Sequence, residues 1–222
     1  MTTPTEQTPR LVIDLPPGFT GLTVTGDSEQ DAAQVEALAQ RTAEAAGQSQ
    51  ERMADHLGLI AHVLADNRAR LFGRFATREN TEQEPVTGTV VLAMPELDTE
   101  DTDVASVARN GNLVAAELER QYRQRHPASD VRVVELAAGP AMVAASAGEY
   151  RLPPEMTGKA QTVVRPEFKA EFQLPTPDGK RLVVMAVTTD SEAGWPAVAA
   201  DAMRIANTIR FEEPPAAPAE AE

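Results

Sequence analysis

The segment TVVRPEFKAEFQLPTPDGKRLVVMAVTT, residues 162–189, constrains the fold more than any other part of the chain. Two extended, apolar-rich runs flank PTPDGK, in which Asp178 and Gly179 suit a tight turn, so the chain must reverse there into an antiparallel hairpin. VVMAV is nearly continuous apolar sequence, which predicts an interior strand. TTDSEAG then turns the chain. Val198, Ala202, Ile205 and Ile209 follow at helical spacing and predict a closing helix packed back onto the sheet.

Similar logic places the other elements. RLVIDLP and GLTVT read as short strands around the turn-forming PPGF, and ARLFGRFATR and VTGTVVLAM as two more, rich in aromatic and β-branched residues. Asp27 and Ser28 are good helix caps, with Glu29 and Asp31 adding negative charge where the helix dipole favours it. A helical stripe runs through Val35, Leu38, Thr42 and Ala45 and resumes at Met53, Leu57, Ile60 and Val63, with Gly47 as the divide. Val104, Val107, Ala108, Gly111, Val114, Ala115 and Leu118 mark a second helical region that ends before Pro127. DVRVVEL and PAMVAAS are the remaining extended runs. Strand pairs separated by helices do not follow the alternation of a parallel α/β fold. The expectation is a single α+β domain over residues 10–212, a mostly antiparallel sheet flanked by helices, with disordered tails at 1–9 and 213–222.

IDLPPGF, the hairpin AEFQLPTPDGKRLVVMAVTT and the closing AADAMRIANTIRF together resemble the PsbP/Mog-type α/β/α sandwich. That family includes extrinsic photosystem subunits, a Ran-binding protein and many bacterial proteins. The resemblance implies an α/β/α sandwich and a non-enzymatic binding or accessory role.

Charge narrows the partners. A formal charge of −14 disfavours nucleic acid and anionic membranes, both of which repel an acidic surface. With no cysteine there is no disulfide, thiolate metal site or cysteine nucleophile. MTTPTEQTPR lacks the basic and apolar regions of a signal peptide, and no apolar run approaches membrane-spanning length, so a cytoplasmic location is expected.

The sequence carries no complete catalytic or metal-binding motif. No two of His56, His62 and His126 have the i, i+4 spacing of helical metal ligands. AASAG around Ser146 resembles a nucleophile elbow but lacks its first glycine. The acidic ELDTEDTD, with Glu96, Asp98, Glu100, Asp101 and Asp103, lacks the glycine and distal glutamate of a calcium loop. No glycine-rich phosphate loop is present. RLFGRFATR interleaves arginines with Phe72 and Phe75, best read as a core phenylalanine with arginines facing solvent.

No catalytic, cofactor or metal residue is therefore assigned. The expected function is that of a non-enzymatic, accessory or chaperone-like protein acting through a protein partner. Its candidate contacts are the face carrying Leu57, Ile60 and Val63, the basic helix end with Arg120 and Arg123, and the lone Trp195, read as a structural anchor if buried and a contact if exposed. The alternative is a small-molecule binder or cryptic enzyme with a pocket between sheet and helices.

Overall fold

The computed structural model describes residues 10–44, 47, 49–79, 84–97, 108–152, 154 and 160–212. In chain order the elements are β1 (Arg10–Val12), β2 (Thr20–Thr23), α1 (Ser28–Thr42), α2 (Gln50–Asp66), β3 (Ala69–Thr77), β4 (Val86–Ala93) and α3 (Gly111–Arg125). They continue with β5 (Asp130–Leu136), β6 (Gly139–Leu152), β7 (Val163–Pro175), β8 (Leu182–Thr189), α4 (Trp195–Asn207) and β9 (Arg210–Glu212). Both tails expected to be disordered lie outside the described residues.

β7 and β8 form the expected hairpin. The Asp178 carboxylate accepts from the Thr176 hydroxyl at 2.6 Å and from the Lys180 amide at 3.0 Å, tying the turn across itself. Gly179 adopts φ +68°, and a Cβ there would meet the Ala108 backbone at 2.8 Å, so the position requires glycine on two counts. From this hairpin the sheet grows both ways into seven strands ordered β2-β3-β4-β8-β7-β6-β5, each pair antiparallel. β1 and β9 form a separate antiparallel pair, Arg10 opposite Glu212.

Alternating side chains give the large sheet two unlike faces. One face is sealed. Phe75, Leu92, Phe172, Leu174, Met185 and Val187 pack there against Val198, Ala202 and Ile205 of α4, and Leu11, Ile13 and Phe211 extend the cluster beyond the helix. Each fully buried side chain of this size contributes about 1.5–3 kcal/mol relative to exposure, which fixes the strand register, because a one-residue slip would turn all of them outward.

Among the described residues, helices cover the opposite face only at its two ends. α3 sits over β5 and β6 through Tyr122, which packs with Val131, Met142 and Ala144. At the other end Leu22 packs under Val35 and Leu38 of α1, with Ala54, Leu57 and Ala61 of α2 closing the cluster. Helices therefore lie on both faces of an antiparallel sheet, an α+β arrangement in three layers. Between the two helical groups, Thr89 and Val91 of β4 and Val184, Ala186 and Thr188 of β8 are only half-buried. As expected, VVMAV is an interior strand of the sheet, fourth of seven; its Val183, Met185 and Val187 side is fully covered, whereas Val184 and Ala186 on the other side are half-buried.

Two helix boundaries also differ from expectation. α3 starts at Gly111 rather than passing through it, because the Asn110 side chain caps the Leu113 amide at 3.3 Å. A Cβ at Gly111 would press on the Pro140 ring at 3.0 Å. Val104 and Val107, and Asp98 to Asp103 of the acidic run, lie outside the described residues. As expected, α1 and α2 are separate helices, with Gly47 at φ +63° between them.

Candidate functional site

Three surfaces hold the residues singled out from sequence, and they differ in how far their side chains are already satisfied. The first is the α1–α2 hairpin. Asp27 caps α1 by accepting from the Glu29 and Gln30 amides at 2.9 and 3.1 Å. Asp31 pins the preceding loop, accepting from the Thr25 amide and hydroxyl, each at 2.8 Å, and from the Gly26 amide. Burial alone would raise the Asp31 pKa, yet the hydrogen bonds from Thr25 and Gly26 and the nearby Arg70 charge lower it.

α2 is the least settled element. It buries no residue fully along its whole length. Leu57 packs on the Leu22 cluster and Ile60 is half-buried, whereas Val63 is 51% exposed and Leu59, absent from the predicted stripe, is 66% exposed. An open groove of about 530 Å³ separates the two helices, floored by small residues such as Ala54, Gly58 and Ala61 and rimmed by Asp31, Glu36 and Asp55. Along the hairpin, carboxylates far outnumber the basic side chains of Arg41 and Arg52. The surface is apolar at its centre and acidic around it.

The second surface is the basic end of α3, and its arginines are occupied. Arg120 donates to Glu117 at 2.8 Å, and hydrogen bonds from Arg120 and Gln121 hold the Glu117 carboxyl down at about 2. Arg123 pairs with Glu119 at 2.7 Å and also donates to the Val131 carbonyl, anchoring the helix end to β5. Glu119 and Arg123 stand four residues apart, on one face of the helix. Beneath this helix lies a network that joins distant parts of the sequence. The Tyr122 hydroxyl donates to Glu171 at 3.2 Å, the Lys169 ammonium donates to the same oxygen at 2.9 Å, and Gln173 donates to the other oxygen at 2.6 Å. Burial works to raise Glu171, but hydrogen bonds from Lys169 and Gln173 outweigh it and the pKa is lowered; Lys169 is raised, burial being overcome by its bond to Glu171. Tyr122 is also raised, chiefly by burial and then by the Glu171 charge.

The third surface is the sheet beyond both helical groups. Thr89 pairs across the strands with Arg74 on one side and Thr188 on the other, and Thr188 pairs with Lys169. Arg74, Thr89 and Thr188, together with Tyr150, Glu167 and Asp190, line an open cleft of about 550 Å³ whose walls come mainly from strands. Among the described residues, Arg74, Thr89, Thr188, Tyr150 and Glu167 make no side-chain hydrogen bond or ion pair within the chain. Sequence reading had placed Arg74 on the solvent face, correctly, since Phe75 is the core residue at 2% exposure. It missed Tyr150, Glu167 and Thr188, which come together only through pairing of distant strands.

Trp195 belongs to none of these surfaces. It is half-buried on the sealed side, packs on the main core and lies 6.1 Å, centroid to centroid, from the Phe168 ring. Gly194 just before it leaves room for Val86, which a Cβ would meet at 2.5 Å. The tryptophan anchors the start of α4 at the end of the central strands.

Ser146 lies in mid-strand within β6, which rules out its reading as a strand-to-helix nucleophile. Among the described residues no three His, Cys, Asp or Glu side chains gather as metal ligands, and no described helix is long and apolar enough to cross a membrane. No family profile matches the chain, and neither a curated protein nor a solved structure matches it.

Proposed function

We propose that this chain is a non-enzymatic, cytoplasmic protein-interaction module, accessory or chaperone-like in role, that holds a basic amphipathic segment of its partner against the α1–α2 hairpin. The observation that carries this reading is α2 itself: a seventeen-residue helix with no fully buried residue and with Leu59 and Val63 exposed one turn apart. A helix so poorly covered gains stability from any apolar surface laid on it. The acidic rim selects the sign of that surface, because a cationic segment is attracted and an acidic one repelled. The PsbP/Mog-type resemblance supports the same class of role. Arg120, Arg123 and Trp195 take structural parts, so the contact surface contracts to Leu57, Ile60 and Val63 with the addition of Leu59.

Titration with a fluorescent Lys/Leu amphipathic helical peptide tests this. Binding that weakens with salt is expected, together with at least a tenfold loss in the double variant Leu59→Glu, Val63→Glu and none in Arg120→Glu, Arg123→Glu. Equal affinity for an acidic amphipathic peptide, or an unchanged affinity in the α2 variant, would overturn it.

A further inference from the structure

The cleft on the less covered face of the large sheet is assembled by strand register. Arg74 of β3 stands opposite Thr89 of β4, Thr89 opposite Thr188 of β8, and Thr188 opposite Lys169 of β7, so these four form one row across the sheet. Thr87 and Glu167 each lie two residues before that row on their own strands, and residues two apart share a face. β4 and β7 run in the same direction, because both are antiparallel to β8 between them, so Thr87 and Glu167 fall on the same side of the row. The result is an open cleft of about 550 Å³ with Arg74 at one end, Glu167 at the other and threonines between them.

Its two ends carry opposite charges that the fold leaves unmatched. Arg74 has Thr20 and Thr89 opposite it on its two neighbouring strands and makes no side-chain hydrogen bond or ion pair among the described residues. Glu167 is half-buried and likewise unpaired. The residues two before and two after Glu167 on its strand are both cationic, but both are taken: Lys169 is bonded to Glu171 at 2.9 Å, and Arg165 pairs with Asp190 at 3.4 Å. Three carboxylates against two cations leave that end negative, while the lone arginine leaves the other positive. Between them the hydroxyls of Thr87, Thr89 and Thr188 also lack a partner among the described residues, and each can donate as well as accept.

We propose that this cleft binds a short linear zwitterion, a peptide of about three residues with free termini laid across the strands. Its carboxylate pairs with the Arg74 guanidinium, whose planar donor fork fits two carboxylate oxygens, and its ammonium pairs with Glu167. Its backbone N–H and C=O groups bond to the threonine hydroxyls of the floor. Spacing sets the length: β3 and β7 are three strand spacings apart, about 14 Å, which inward-leaning side chains shorten to roughly the 10 Å of three extended residues. A single amino acid is too short to reach both ends. This site is distinct from the α1–α2 hairpin and does not rest on the protein-binding reading.

Calorimetric titration of the full chain with trialanine tests the assignment, with N-acetyl-trialanine, trialanine amide, alanine and maltose as comparison probes. Trialanine should bind and raise the Tm, and its affinity should fall as salt is added. Each blocked peptide, and alanine, should bind at least tenfold more weakly. Arg74→Ala should lose at least tenfold in trialanine affinity and no longer distinguish trialanine from its amide. Glu167→Gln should lose as much and no longer distinguish it from the N-acetyl form. Neither variant should change the affinity for the Lys/Leu peptide, which separates this site from the α1–α2 hairpin. Arg74 is exposed, so its variant tests the carboxylate end even where Glu167→Gln does not fold. No binding of trialanine, equal affinity for the blocked peptides, an unchanged affinity in Arg74→Ala, or tighter binding of maltose than of trialanine would overturn the proposal.

Discussion

The two faces of the large sheet are made by alternate residues of the same strands, yet one is closed and the other is parted. On β8, Val183, Met185 and Val187 are at most 1% exposed, while Val184, Ala186 and Thr188 between them are half-open. The closed face has one helix laid across its middle, with the β1–β9 pair beside it. The parted face has helices at its two ends and none across β4 and β8 among the described residues. Stability and register are thus concentrated on one side, which frees the other to carry side chains chosen for something else. Tyr122, Lys169, Glu171 and Gln173 satisfy one another under α3, whereas Thr188 on the next strand, and Thr89 and Arg74 beyond it on that face, make no side-chain hydrogen bond or ion pair among the described residues.

Substitutions at adjacent positions can break or sharpen this contrast. Met185→Ala on the closed face should cost about 2–5 kcal/mol, the range for removing a large core side chain, measured as a loss in urea unfolding free energy. Its neighbour on the parted face, Val184→Ala, should cost less than half as much; equal costs would mean that the parted face is closed in solution.

A smaller effect belongs to the charged network. Glu171→Gln should cost about 1–2 kcal/mol at neutral pH, because Lys169 then loses a mostly buried partner. The folded pKa of Glu171 is lowered, so its contribution is fully present above the ordinary carboxylate range and is lost as pH falls through the folded value. Lys169 is raised, so its share is present below the ordinary lysine range and lost as pH rises through its folded value. The wild-type advantage should therefore form a plateau near neutrality and shrink at both extremes. An advantage independent of pH would show that the loss is one of packing.

The smallest effect is expected at Thr188→Val. The change keeps β-branching and removes a hydroxyl that no group uses among the described residues, so stability should stay within about 0.5 kcal/mol of wild type. A loss well above that would place a protein partner on the hydroxyl.

The closed face was legible in the sequence because its causes are local. Asp178 and Gly179 announce the hairpin, and Val198, Ala202 and Ile205 recur at a helical period with their apolar side inward. The parted face was not, because pairing of β4 with β8 joins residues about a hundred positions apart, and nothing in the period-two pattern of either strand says which neighbour a helix will cover. Thr89 and Thr188 look like ordinary strand threonines until the register sets them side by side. Leu59 was missed for a different reason: a stripe drawn for burial passes it by, and only its position on the outer side of α2 makes it a candidate contact. Trp195 stayed open between anchor and contact, because its half-burial depends on Phe168, one strand over.

The pairing of Arg10 with Glu212 has a mechanical consequence. The segments flanking the fold leave from the same end of a three-residue antiparallel ladder, so tension applied between them loads its hydrogen bonds one after another rather than all at once. Such a ladder peels at low force. The first part of the molecule to yield would be β1, leaving the seven-stranded sheet intact behind it.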